Sequence, residues 1–158
     1  KVIQYVSPGA IHDVIGQPFR IKNSPHASAG FSIQYSVANV LVRGSSTPEH
    51  YTAESIRDTA INDFIANKVT KADMTEGGLE RGRVKVIMKG GREFDVFTEI
   101  ARGDPRRPVS KDDLLAKFRG NIEFSNSVST ENGEKILAMV DDLENLGNVS
   151  EFVDLMIA

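Results

Sequence analysis

The chain has 158 residues, of which 40% are hydrophobic and 26% are charged, and its formal net charge is -3. This much apolar material supports a packed core, so the composition excludes a chain that is disordered over most of its length. The acidic balance excludes a broad basic field that would hold nucleic acid or an anionic membrane surface. The sequence has no cysteine, which excludes disulfides and thiol chemistry and leaves histidine and carboxylates as metal ligands.

No apolar run reaches the ~18 residues that a membrane-spanning helix needs, and the first residues lack the pattern of a signal peptide. We therefore expect a cytoplasmic protein that binds neither nucleic acid nor membrane. The sequence begins at Lys1 and enters an alternating apolar segment at once. We expect from this that an earlier part of the chain is missing or has been processed away.

The first predicted elements are a strand over residues 1–7 and a short helix that ends at Gly16. An irregular connection follows, because residues 17–28 contain two prolines, Asn23 and three serines or histidines. Residues 29–43 are mostly apolar and are followed by Gly44, which indicates a buried helix.

Another helix is predicted from Thr52, because apolar residues then recur at helical spacing along one face. Residues 83–101 predict a β-hairpin with a two-residue turn at Gly90-Gly91. Its strands alternate, with these residues facing inward: Val84, Val86, Met88, Phe94, Val96, Thr98 and Ile100. Helices from Ser110 and from about Thr130 follow, and the first of them is expected to bury Leu114, Leu115 and Phe118. The pattern indicates an α+β fold with an antiparallel sheet and C-terminal helices.

Simple chemical motifs are absent from the sequence. The histidines His12, His26 and His50 are too far apart for a local metal motif, so we expect no metal. No phosphate-binding loop or nucleophile elbow is present. Three arginines flank the turn at 103–105 and either meet an anionic ligand or form a solvated loop, and the loop is favoured. These are Arg102, Arg106 and Arg107.

The helix predicted over residues 29–43 carries a narrow polar stripe. Its members are spaced at i, i+3, i+4 and i+7, which places them on one face: Ser32, Tyr35, Ser36 and Asn39. The stripe either faces water or lines a polar cleft, since hydroxyls and an amide suit a small oxygen-rich ligand. The pattern does not choose between the two interpretations.

Several short motifs follow one another along nearly the whole chain. They are Phe31-Ser32-Ile33-Gln34-Tyr35, Leu41-Val42-Arg43-Gly44, Tyr51-Thr52-x-Glu54-x-Ile56-Arg57-Asp58, Val84-x-Val86 with Lys89-Gly90-Gly91-Arg92, and Gly103-Asp104-Pro105-x-x-Pro108-x-Ser110 with Leu114 and Lys117-Phe118. In this order and spacing they resemble the C-terminal part of the MmgE/PrpD family. That family includes 2-methylcitrate dehydratase, cis-aconitate decarboxylase and an iminodisuccinate epimerase.

The resemblance implies a domain division and a chemistry. Residues 1–109 would form most of an α+β lid domain that is incomplete at its start, and residues 110–158 would return into a helical domain. Family members are typically homodimers, and they use acid–base side chains, without metal or organic cofactor, on a small-molecule carboxylate. Tyr35 matches a tyrosine at the active-site cleft, with Ser32 as a neighbour, so both are expected to bind substrate and Tyr35 to be catalytic. The chain departs from many members at Gly30 and Gln34, which puts the substrate in doubt.

Three functions follow as hypotheses. The first is the C-terminal part of a cofactor-independent lyase, a hydro-lyase or decarboxylase, that acts on a tricarboxylate such as 2-methylcitrate and is inactive alone. The second is a dicarboxylate epimerase of the same family, which also removes a proton beside a carboxylate. The third is a non-catalytic binding or interaction module.

Overall fold

A computed structural model describes residues 1–8, 14–75 and 81–157 of the chain. It divides into two compact units, Lys1–Pro108 and Val109–Ala158. Most of the short helix predicted to end at Gly16 falls on residues 9–13, which lie outside the described residues. Val14 and Ile15 are helical.

The first unit is built on a four-stranded mixed sheet in the order β2-β1-β3-β4. Its strands are β1 (Val2–Val6), β2 (Val69–Asp73), β3 (Gly82–Ile87) and β4 (Glu93–Thr98). The β3–β4 pair is antiparallel, as predicted. The β1–β3 pair is also antiparallel, whereas β2 is parallel to β1. The long helical connection between β1 and β2 allows this parallel pairing, because parallel neighbours require a crossover. The α+β class is confirmed, and the sheet is mixed rather than purely antiparallel.

The hairpin of β3 and β4 has the predicted strands but a different turn. Val84 lies opposite Val96 and Val86 lies opposite Phe94. The Met88 N–H donates to the Arg92 carbonyl at 2.9 Å, so the loop contains three residues, 89–91, and not two. Gly91 takes the left-handed conformation that closes such a loop, with a φ of +79°. The predicted inward face is covered only in part, since Val84 and Val86 are half-buried whereas Val96 is 64% exposed.

Besides Val14 and Ile15, the described residues of the first unit form four α-helices and one short 3-10 helix, Pro48–Tyr51. The α-helices are α1 (Pro25–Gly30), α2 (Ile33–Arg43), α3 (Ala53–Ile56) and α4 (Thr59–Lys68). The helix predicted from residue 29 is divided because Ser32 is extended and caps α2. The helix predicted from Thr52 is divided because Asp58 accepts a bond from the Ala60 N–H and starts α4 anew.

The core of the first unit lies between these helices and one face of the sheet. Helix α2 packs against α4 and β1, and α4 packs against β2. The buried apolar side chains of the cluster are Ala29, Tyr35, Ala38, Ile56, Ile61 and Ile65. This core fixes α2, which carries the residues expected to bind substrate.

The second unit consists of helices and one short 3-10 turn, Leu143–Asn145. Its α-helices are α5 (Lys111–Ser125), α6 (Thr130–Asp141) and α7 (Val149–Asp154). The predicted burial of Leu114 is wrong, because 56% of this residue is exposed, while Leu115 and Phe118 are half-buried. In residues 1–8, 14–75 and 81–157, no helix has both the length and the apolar character needed to cross a membrane.

Candidate functional site

Ser32 and Tyr35 come together at the first turn of α2. The Ser32 Oγ accepts a hydrogen bond from the Tyr35 backbone N–H at 3.2 Å, so Ser32 is the N-cap of the helix. Both residues are buried. The sequence placed them on one helical face, and the structure joins them through the cap instead.

The Tyr35 hydroxyl is held by backbone carbonyls of the segment that follows α2. It donates toward the His50 carbonyl oxygen at 2.6 Å, and the Ser55 carbonyl oxygen lies at 3.1 Å. The ring lies between two other aromatic rings, with centroids 5.0 Å from Phe19 and 5.4 Å from Tyr51. Tyr35 therefore ties residues 50–55 to α2.

Beyond Ser32, the polar stripe of α2 is bonded to other protein groups. Ser36 shares a hydrogen bond with the Tyr51 hydroxyl at 3.0 Å, and Asn39 accepts one from Arg43 at 2.8 Å. The apolar residues at the end of the helix are exposed: Val40, Leu41 and Val42. The prediction of a buried apolar helix is therefore wrong at these three residues.

An open cleft of about 860 Å³ lies beside Ser32, in front of the N-terminal end of α2. Its walls come from residues 17–24 and from α1, and they contain two cations, Arg20 and Lys22. Neither cation forms a salt bridge with a carboxylate of the residues that the structure describes. A cleft with two cations and a capping hydroxyl suits a small anionic ligand.

Gln34 holds one wall of this cleft in place, a role that sequence reasoning missed. Its Oε1 accepts a hydrogen bond from the Phe19 backbone N–H at 2.8 Å, immediately before Arg20. The one indication in the sequence was that Gln34 differs from the residue that many MmgE/PrpD members have at this position. The pattern gave no indication of its partner, which lies 15 residues away.

A second missed group is the ion pair of Arg43 and Asp58, 2.7 Å apart. Arg43 also donates to the Ser55 carbonyl at 3.1 Å, which is one of the carbonyls near the Tyr35 hydroxyl. The hydrogen bond from Arg43, followed by that from the Ala60 N–H, lowers the pKa of Asp58 below its ordinary value. This pair anchors the segment that Tyr35 binds, and both of its residues stood in the motifs that carried the resemblance.

In the loop at 102–107, Arg106 and Arg107 bind neighbouring groups of the same segment. Arg106 binds Asp104 with two side-chain hydrogen bonds of 2.9 Å and holds the pKa of that carboxyl down to about 2. Arg107 donates to the Ile100 carbonyl at 3.1 Å. Among the described residues, no group of three or more histidines and carboxylates is placed to hold a metal ion.

Comparison with known proteins gives a family for this architecture. The sequence matches the MmgE/PrpD C-terminal domain over residues 1–145. It is also similar to human cis-aconitate decarboxylase, with 24% identity over 145 residues. That alignment includes 90% of this chain but spans only 29% of the length of the human protein. The chain therefore belongs to the MmgE/PrpD family, of which it represents the C-terminal domain.

Proposed function

We propose that this chain contributes a substrate-binding wall to a cofactor-independent lyase that acts on a small tricarboxylate. The observation that carries the proposal is the cleft beside Ser32, where Arg20 and Lys22 form no salt bridge with a carboxylate of the described residues. A tricarboxylate at neutral pH has several negative charges, and charge-assisted hydrogen bonds to fixed cations are the strongest contacts available to it.

Ser32 is the residue we propose to contact a substrate oxygen from the helix end. It lines the cleft, and its Oγ already accepts a bond from the Tyr35 N–H, which leaves its hydroxyl proton to donate. The positive end of the α2 dipole adds to the attraction for an anion at this point. Removal of a proton next to a carboxylate builds negative charge, so donors at this end would stabilise it.

Tyr35 is proposed to bind a substrate carboxylate or a leaving hydroxyl through its own hydroxyl. In this structure that hydroxyl is 2.6 Å from the His50 carbonyl oxygen and the residue is fully buried. Direct contact with substrate therefore requires the Pro48–Tyr51 turn to move away from α2. This movement is part of the proposal.

Family membership and the human relative support the lyase class. The relative is named as a decarboxylase of cis-aconitate, and this chain spans 29% of its length. The acid–base groups that complete the chemistry are proposed to lie in other parts of a longer protein. We accordingly expect the 158-residue chain alone to be inactive.

The test is turnover by the complete gene product with 2-methylcitrate, cis-aconitate and a dicarboxylate as separate substrates. We expect Arg20→Gln to raise KM for a tricarboxylate by about tenfold, roughly 1.4 kcal/mol, as for one lost charge-assisted contact. Lys89→Gln is the matched control, because Lys89 lies in the exposed hairpin loop. Conversion of the dicarboxylate alone would favour the epimerase, and turnover of none of the three substrates would rule out the proposal.

A homodimer is proposed on a separate observation. Several large apolar side chains of the second unit are exposed: Val140, Leu143, Val149, Val153, Met156 and Ile157. Exposed apolar surface of this kind drives association. Sedimentation of the complete gene product should give a dimer, and a clean monomer would count against the proposal.

A further inference from the structure

The cleft beside Ser32 has an apolar part that the proposed contacts with substrate carboxylates leave unused. Val14 and Phe31 both line this cleft, and 58% of Val14 and 61% of Phe31 are exposed. Single exposed apolar side chains are common on protein surfaces and require no explanation. Two of them in one concave site, beside Arg20 and Lys22, match the mixed composition of a small-molecule site. The apolar part is therefore a candidate for a further contact with substrate.

Helix α1 holds the charged and the apolar parts of the wall together. The Lys22 backbone N–H donates to the Ser28 Oγ at 3.1 Å, which fixes the segment that carries the cations to this helix. At the other end of α1, the Phe31 N–H donates to the Ala27 carbonyl at 3.0 Å, so the backbone of Phe31 closes the last helical turn. A ligand that lies along α1 can therefore meet cations and an exposed aromatic residue that belong to one rigid element.

The size of the cleft favours a substrate with more than carboxylates to bind. Its volume of about 860 Å³ lies in the range of roughly 300–1,000 Å³ in which drug-sized ligands bind. Carboxylates gain their strongest contacts at the cations, and they gain nothing from an apolar wall. An apolar substituent that covers Val14 and Phe31 would remove their surface from water, which favours binding in proportion to the area covered.

We propose that this cleft selects a tricarboxylate that carries an apolar substituent larger than a methyl group, and that Phe31 determines this specificity. The inference rests on the proposed function, since it requires Arg20 and Lys22 to bind substrate carboxylates. The cations provide the charge complementarity, and Phe31 and Val14 provide the surface against which the substituent lies.

The probes are 2-benzylpropane-1,2,3-tricarboxylate and its 2-methyl analogue. They have the same three carboxylates and differ only in the apolar group, so a difference in affinity reports the apolar contact. Both lack the hydroxyl that a dehydration would expel, and they should therefore bind without being dehydrated. Isothermal titration calorimetry with the complete gene product should show that the benzyl compound binds about tenfold more tightly, or better.

Phe31→Ser should reduce this preference to less than about threefold, because the aromatic contact is lost. Phe97→Ser should keep the preference and is the matched control, since Phe97 is 52% exposed and lies on β4. Arg20→Gln should weaken the binding of both compounds by a similar factor, about tenfold, and leave their ratio unchanged, because the carboxylates are common to both.

Equal affinity of the wild-type protein for the two probes would overturn the proposal, as would the absence of binding by either. A preference that survives Phe31→Ser would overturn the assignment of Phe31. Turnover tests the proposed function separately. A protein that converts 2-methylcitrate but binds the two probes equally keeps the lyase reaction and loses this inference. A protein that prefers the benzyl probe but converts none of the three substrates keeps the preference and loses the lyase reaction.

Discussion

Replacing Tyr35 by Phe removes one oxygen atom from the centre of the first unit and leaves the ring between Phe19 and Tyr51. The His50 carbonyl, 2.6 Å from that oxygen, loses its donor. A net hydrogen bond contributes about 1 kcal/mol, and a buried acceptor left unsatisfied costs about 1–3 kcal/mol. Because the carbonyl is only partly buried, we expect the free energy of unfolding to fall by about 1–2 kcal/mol.

Urea denaturation followed by circular dichroism measures this change. The slope of the free energy of unfolding against urea concentration should be the same as in wild type, which shows that the two proteins expose the same surface on unfolding. Tyr51→Phe is the matched control. The Tyr51 hydroxyl is bonded to the Ser36 and Ser46 hydroxyls at 3.0 and 2.7 Å, and water can replace it at the exposed Ser46. Its loss should cost less than about 0.5 kcal/mol. Equal stability of Tyr35→Phe and wild type would refute the hydrogen-bond argument.

The same variant tests the proposed contact with substrate. If the hydroxyl binds the transition state, kcat/KM of the complete gene product should fall roughly tenfold to a thousandfold, about 1.4 to 4 kcal/mol. A tyrosine that serves only to hold residues 50–55 would lower stability and leave turnover near normal. Unchanged kcat/KM would therefore remove Tyr35 from the list of residues that contact substrate, while the fold argument would stand.

Three further changes test the fold. Asp58 has a lowered pKa because Arg43 bonds it, so its stabilisation is complete above its unfolded pKa, near 4, and is lost as the pH falls through the lower folded value. Asp58→Asn keeps a capping oxygen but removes the charge. Its free energy of unfolding should therefore lie furthest below that of wild type at neutral pH, and the difference should vanish as the pH falls. Gly91→Ala should destabilise the hairpin by about 1–2 kcal/mol, because the φ of Gly91 is +79°, whereas Gly90→Ala should not. Gly133→Ala should raise the free energy of unfolding by up to about 1 kcal/mol, and with it the melting temperature, because alanine favours the helix over glycine. The new methyl group would lie at an ordinary contact distance of 3.6 Å from Ile122.

The hairpin shows what alternation in a sequence does and does not determine. The alternation required Val84 and Val86 to share a face with Phe94 and Val96, and they do. A two-residue turn at Gly90-Gly91 would pair residue 89 with residue 92 and would set even-numbered residues opposite odd-numbered ones. A slip of one residue reverses the face, so the alternation itself demanded a loop with an odd number of residues.

Helix α2 shows why the candidate site was harder to predict. Its apolar content indicated burial, but the buried residues include the polar Tyr35 and Asn39. The Tyr35 hydroxyl meets carbonyls of the segment at 50–55, and these bonds reach 15 and 20 residues along the chain. Periodicity identifies a face but not what the rest of the chain places against it. Periodicity placed Tyr35 on the polar stripe, and its assignment to substrate binding came from resemblance to the family and stays a prediction.

Gln34 connects the departure from the family with the chemistry of the cleft. Many family members have a proline at this position, which suits the first turn of a helix and would leave α2 intact. A proline, however, has no side-chain acceptor for the Phe19 N–H, which Gln34 binds at 2.8 Å. The bond fixes the backbone immediately before Arg20, one of the two cations of the cleft. In this chain the position of a cation that we propose to face substrate therefore depends on a carboxamide that those relatives lack. We expect a difference in carboxylate preference within the family to arise at this residue.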